Sequence, residues 1–219
     1  MFFLLFLGQT FARVKKVADY SGLGFVNQTT YYNIQRNLVI PTVNEHYQAN
    51  IVQARLESKS DQNVILGDGR FDSSGKTAKY CTYTCQSPAS NKIIVSRTAQ
   101  TKQGKGSAPL ELKCFKDCLQ ELQEAGFPVN KVATDRNKSI AKYLREEKQK
   151  IAHRYDPWHF VKNILSALRE HAKRKECPNI ISEWLRPIGN HLYWCADNCS
   201  GDTQKLLQMW KSVMCHNKL

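Results

Sequence analysis

A chain of 219 residues with 42% apolar and 10% aromatic content can bury a sizeable core, which excludes a disordered polymer. Its formal charge of +13 implies an anionic partner, nucleic acid first and an acidic membrane second. The eight cysteines include Cys81/Cys85, Cys114/Cys118 and Cys195/Cys199, each four apart within regular elements, a pattern of reduced intracellular thiols rather than a secreted disulfide framework.

The opening MFFLLFLGQT is too short an apolar run to span a bilayer. It lacks the basic start and small-residue cleavage site of a signal peptide, so it reads as a core helix cut off at its front. Residues 9–40 spell two helices around a turn. Phe11, Val14 and Ala18 share one face, Ser21-Gly22 interrupts it, and Asn27 can cap a second helix with Tyr31, Ile34 and Leu38 inward and Pro41 at its end. That spacing suits a helix-turn-helix with Gln28, Thr29, Tyr32, Asn33 and Arg36 turned outward to DNA. A helical hairpin that binds nothing has the same spacing. A linking helix over 45–58, with Tyr47, Ile51, Ala54 and Arg55 along one side, completes a helical region at 1–60.

A β section follows. VILGDGRF (64–71) reads as a strand, DSSGKT as a turn, AKYCTYTCQ as a second strand, and IIVSRTAQT as a third, together an antiparallel meander. Past a Gly-rich break at Gly104 and Gly106, a helix from Pro109 to Ala125 turns Leu112, Phe115, Leu119 and Leu122 to the sheet, and Gly126 ends it. Val129, Val132 and Ala133 form a fourth strand that delivers Asp135 to its C-terminal edge, and Asn137 caps a helix carrying Ile140, Ala141 and Leu144. IAHRY is a fifth strand, and a helix runs from Pro157 to about Lys175. The order βββαβαβα over 61–175 is that of a ribonuclease H-like α/β fold, a mixed five-stranded sheet with flanking helices.

In that order the first and fourth strands are neighbours, so Asp68 and Asp135 can hold a pair of divalent cations for in-line attack at a phosphodiester; Mg²⁺, or Mn²⁺, suits such an all-oxygen site. Asp72 shares the parity of Asp68 and competes with it, although it also fits a turn opener. Residues 129–175 carry 13 Lys or Arg against 5 Asp or Glu, and Arg136 and Lys138 flank the second acid as candidate DNA contacts. Asp156 and Pro157 are explained by helix capping alone, whereas His159 begins a polar stripe with Asn163, Ser166 and Glu170 that can look back at the two aspartates.

The segments GDGRFDSSGKTAKYCTYT, VATDRNKSI, YDPWHFVK and NHLYWCADNC, with GLGFVNQTTYYNIQRNLVIP before them, resemble the catalytic core of eukaryotic cut-and-paste DNA transposases. The Kolobok-like group is the nearer match and the Mutator-like group the more distant. The resemblance covers nearly the whole chain. It implies a ribonuclease H-like DDE core, two metal-binding aspartates at Asp68 (or Asp72) and Asp135, and an Asp-x-x-His pair at Asp156 and His159. It also implies a catalytic glutamate, strand cleavage and transfer at double-stranded transposon ends, a nuclear location, and assembly of copies. The chain departs from the family in having DSSG where Asp-Ser-Pro-Gly is expected. Family glutamates follow a helical insertion after the fifth strand, so the chain is expected to stop inside that insertion, in 176–219. Within the chain Glu170 is the candidate third acid. The expectation is weak metal binding and measurable DNA binding without cutting, by a transposase fragment or a non-catalytic DNA-binding derivative. In the last region His191, Cys195 and Cys199 share one helical side, and His216 can complete a Zn²⁺ set; free thiols packed beside Trp194 are the competing reading.

Overall fold

The fold is that of a computed structural model, which describes residues 10–59, 63–74, 77–101, 107–173 and 178–214. The expected N-terminal core helix falls largely at residues 1–9, and His216 and the glycines at 104 and 106 likewise lie outside the described residues. The chain divides into two compact units, Met1–Lys59 and Ser60–Leu219.

The first unit is helical. Helix α1 (Phe11–Tyr20) buries Val14 and Ala18 and stops at Ser21, and Gly22 follows at φ +65°, a backbone conformation that glycine adopts without strain. Asn27 caps α2 (Gln28–Ile34) by accepting the Thr30 N–H at 2.8 Å. Phe11, Phe25, Tyr31 and Tyr32 pack their rings together, with Phe11 and Tyr31 edge to face at 5.4 Å. The helix does not end at Pro41. A π-turn over Gln35–Val39 leads straight into α3 (Ile40–Glu57), where proline sits in the first turn and needs no N–H partner. The π-turn adds one residue to the helical repeat, which moves the inward face along by one. Leu38 is therefore 49% exposed and Val39, at 7%, is buried in its place.

The second unit carries a five-stranded mixed sheet in the order β3-β2-β1-β4-β5. Strands β1 (Val64–Phe71), β2 (Tyr80–Ser87) and β3 (Lys92–Gln100) form the antiparallel meander. A bulge at Cys85/Gln86 lets the consecutive residues Ile94 and Val95 both turn inward. Helix α4 (Ala108–Glu124) returns across β2 and β3 and buries Leu110, Cys114, Phe115, Cys118, Leu119 and Leu122. Gly126, at φ +65°, turns the chain into β4 (Lys131–Thr134), which runs parallel to β1. Helix α5 (Lys138–Glu147) leads to β5 (Ala152–Tyr155), parallel to β4, and then to α6 (Pro157–Ala172). Helices α7 (Pro178–Asn198) and α8 (Thr203–Lys211) complete it; α7 packs on α6, where a Cβ at Gly189 would stand 3.2 Å from Leu165 Cδ1.

One sheet face is apolar and covered. Ile65, Cys81, Tyr83, Cys85, Val95 and Val132 are all at or below 1% exposure. The opposite face of β1, β2 and β3 is polar, with Thr82 hydrogen-bonded to Thr98 at 2.8 Å and Thr84 to Ser96 at 3.2 Å.

Candidate functional site

Register decides what meets at the sheet's edge. Leu66 pairs with Ala133 across β1 and β4, and Ala133 with Arg154 across β4 and β5. Two residues on, the same register aligns Asp68, Asp135 and Asp156. The last rung is continued by the Asp156 N–H, which donates to Thr134 O at 2.8 Å. Asp68 lies on β1, and Asp135 and Asp156 directly follow the last residues of β4 and β5, so the register carries all three to the same edge of the sheet, where paired strands are about 4.8 Å apart. Strand β4 stops at Thr134 while β1 continues to Phe71, which leaves a notch beside Asp68 and Gly69.

Each aspartate is held differently. Asp68 is exposed, and its Oδ1 accepts its neighbour Gly69 N–H at 2.9 Å. Asp135 is half-buried and accepts the Asn137 N–H at 3.1 Å. Asp156 uses both oxygens: Oδ1 caps α6 through the Trp158 N–H at 2.9 Å, and Oδ2 meets His159 Nδ1 at 2.8 Å. Asp72 holds its own hairpin, with Oδ1 accepting the N–H groups of Lys79 and Tyr80 at 3.0 and 3.1 Å. Its carboxylate is thus occupied as a turn opener.

A fourth acid enters the notch from α4. Glu111 lies over Gly69 so closely that a Cβ there would be 2.7 Å from Glu111 Cγ. Burial raises the Glu111 carboxyl above its ordinary value, and the nearby carboxylates of Asp135 and Asp68 raise it further, while a hydrogen bond from the Asn137 side chain opposes them. Sequence periodicity missed this residue, because it neighbours the inward stripe of α4 without belonging to it. The available signal was Gly67 and Gly69, two glycines inside a strand, which mark close approach by something else. That approach is by Tyr83 at Gly67, where a Cβ would stand 2.6 Å from the phenol oxygen. The Tyr83 hydroxyl is buried without a hydrogen-bond partner among the described residues, and burial raises its pKa. The carboxylates of Asp68, Asp135 and Glu111 are oxygen ligands of the kind an all-oxygen cation site uses.

A cleft of about 600 Å³ opens from this edge along the polar sheet face, and Asp68, Arg70, Thr82, Thr84, Trp158 and His159 are among its lining residues. Glu170 does not line it. Eleven residues beyond His159, it stands about 16 Å farther along α6, exposed and paired with Lys173 at 2.7 Å. Arg136 and Lys138 are exposed beside Asp135, as are Gln28, Thr29, Tyr32, Asn33 and Arg36 in the first unit. Of the possible zinc set, His191, Cys195 and Cys199 are not grouped to hold a metal ion, and His216 lies outside the described residues. His191 Nε2 meets Met209 O at 2.9 Å and its ring stacks on Trp194, while Cys195 and Cys199 are buried thiols. Among the described residues no three His, Cys, Asp or Glu side chains are grouped to hold a metal ion.

No family model matches the chain, and no curated protein does. Among solved structures it is similar to a cysteine-substituted catalytic domain of human Endonuclease V, at 14% identity and a TM-score of 0.24, over 45% of this chain and 47% of that one. What the chain itself provides is an α/β unit whose mixed five-stranded sheet lines up acids at the ends of parallel strands.

Proposed function

We propose that this chain is a nucleic-acid-processing protein with a ribonuclease H-like core of the cut-and-paste transposase kind, acting on double-stranded DNA in the nucleus. The observation that supports the reading is the parallel pairing of Leu66 with Ala133, two residues before Asp68 on β1 and Asp135 just past β4. In this reading Asp68 and Asp135 hold Mg²⁺ or Mn²⁺, and Glu111 supplies from α4 the third carboxylate that the family pattern places later in the chain. The bound cations would supply charge neutralisation and activation of the attacking oxygen at a phosphodiester. The protein's own part is to fix the carboxylates: Gly69 makes room for Glu111, Asn137 steadies it, and the Asx turn at Asp135 orients the second acid. His159, oriented by Asp156, presents its other nitrogen as a site for proton transfer. Arg136 and Lys138 provide cations for the DNA backbone.

The second reading is a DNA-binding derivative without catalysis, favoured by the five exposed polar side chains on and just after α2, from Gln28 to Arg36. The deciding experiment measures duplex binding across ionic strength together with Mg²⁺- or Mn²⁺-dependent nicking. Nicking abolished by Asp68→Ala and by Asp135→Ala supports the catalytic reading. Sequence-selective binding that survives Asp135→Asn and needs no metal supports the second. A DNA affinity unchanged between low and physiological salt defeats both, because a +13 chain must act through phosphate contacts and counterion release.

A further inference from the structure

The sheet face beside Asp68 combines polar and apolar groups, with Leu66, Ala133 and Pro157 lining the cleft beside hydroxyls and charges. Its floor on β2 and β3 is a ladder of hydroxyls, Thr82 with Thr98 and Thr84 with Ser96. Its rim at the start of α6 is aromatic, with Trp158 50% exposed although it lies in the first turn of a helix that buries Val161 close by. Lys162 Nζ stands 4.5 Å over the Trp158 ring, and the His159 ring meets it edge-on at 4.7 Å. Arg70 lines the same cleft from β1. An exposed indole under an ammonium group, next to a guanidinium and a row of hydroxyls, offers a stacking surface, phosphate partners and hydrogen-bonding groups together. At about 600 Å³ the cleft lies within the range, roughly 300–1,000 Å³, of sites that enclose small ligands. A duplex about 20 Å wide cannot enter such a space, whereas an unpaired strand can. Proteins that hold single strands combine these same parts, a basic track and aromatic rings that take a base's flat face.

We propose that the cleft bounded by Asp68, Arg70, Thr82, Thr84, Trp158 and His159 binds an unpaired nucleic-acid strand, with one base stacked on Trp158. The inference rests on the nucleic-acid reading above and adds the form of the substrate at this site: the strand is opened from its duplex before its phosphodiester reaches Asp68. Stacking replaces water on both the indole and the base, and Lys162 turns from the ring to the adjoining phosphate. The hydroxyl ladder takes whichever base edge is presented, so little sequence preference arises here.

The test uses the full chain with labelled oligothymidylate and the corresponding oligo-dA·dT duplex, read by fluorescence anisotropy at one fixed ionic strength. Trp158→Ala is expected to weaken single-strand binding about tenfold, the scale of losing one stacked base, and to change duplex binding less than twofold. Trp158→Phe, which keeps an aromatic face, is expected to retain most of the single-strand affinity. Because Trp158 is half-exposed, the variants should melt close to the wild type, and Trp158→Phe guards against a folding loss. Unchanged single-strand affinity in Trp158→Ala overturns the proposal, as does an equal loss on strand and duplex. Failure of the wild type to bind either oligonucleotide at low salt overturns the nucleic-acid reading itself and this inference with it.

Discussion

If Asp68 and Asp135 share a rung, replacing one of them with its amide should stabilise the metal-free protein. Asp135→Asn is the cleaner choice. Asparagine keeps an Oδ1 to accept the Asn137 N–H now held at 3.1 Å, so the turn into α5 survives and only the charge is removed. Were the strand spacing carried on to the two carboxylates, they would stand about 5 Å apart. Coulomb's law then gives a repulsion of about 3 kcal/mol at an effective dielectric near 20 and under 1 kcal/mol in bulk water. Asp68 is exposed, so the water-like end governs, and about 1 kcal/mol is the expected relief. For a unit of this size that is a rise in Tm of roughly 2–4 °C.

The assay is a thermal melt of wild type and variant, first in chelator and then across a Mg²⁺ or Mn²⁺ titration. In chelator the variant should melt higher. Divalent cation should raise the wild type by mass action on the folded state and raise the variant much less, so that the order of the two melting points reverses. A variant that melts below the wild type in chelator would show that the aspartates do not repel each other. Equal shifts by metal in the two proteins would show that Asp135 is not a ligand.

Other consequences follow from neighbouring groups. Glu111 titrates above its ordinary value in the fold, chiefly through burial, so the stability it contributes is present below its unfolded value of about 4.5 and is lost as pH rises through the folded pKa. Glu111→Gln should therefore flatten that decline and shrink the metal-induced rise in Tm. Burial and then Arg154 lower the His153 pKa, the opposite sign; its contribution is full above about 6.5 and falls away as pH drops below that, a slope that His153→Gln should remove in denaturant melts at stepped pH. Gly69→Ala should displace Glu111, losing the Glu111-dependent part of the metal response while the far side of the sheet keeps its hydrogen exchange protection. Glu170→Ala should change stability by less than about 0.5 kcal/mol and leave the metal response intact, because its pair with Lys173 is fully in solvent.

The parallel core was legible because its information is local. Alternation in VILGDGRF placed Asp68 with Leu66, the apolar run ending at Thr134 delivered Asp135, and Asn137 and Asp156 cap α5 and α6 as their residue types require. Side-chain parity then needs only the strand order to align the acids. What escaped was set by contacts between distant segments. Glu111 is an ordinary first-turn helix acid until α4 packs across β2 and β3, and nothing within α4 says that Gly69 of β1 lies beneath it. The π-turn was invisible for a different reason: an i→i+5 turn changes the helical repeat by one residue without any breaker in the sequence, and Pro41, read as a stop, fits the turn that follows. For His191, Cys195 and Cys199, a shared helical side leaves zinc and packed thiols both open, and contact decides between them: α8 packs there and Met209 O engages the imidazole.

The two glycines around Asp68 tie the site to the stability of the sheet. Glycine inside a strand costs roughly 0.5–1 kcal/mol relative to alanine through lost chain entropy, and β1 is the central strand of five. The Tyr83 hydroxyl adds the cost of a buried donor without an acceptor, about 1–3 kcal/mol. The carboxylates add their mutual repulsion. The glycines lie on β1 and Tyr83 on the neighbouring β2, where Gly67 leaves room for a buried ring that packs edge to face on Phe115 at 5.3 Å. Substituting Gly67 would drive its side chain into the Tyr83 ring, and substituting Gly69 would drive it into Glu111, so neither penalty can be relieved without moving one of these groups. A strand selected only for folding would carry β-branched residues at both positions. Gly67 is thus accounted for by the Tyr83 ring in the core, and Gly69, which makes room for the charged Glu111, is the position where the local arrangement rather than packing is served.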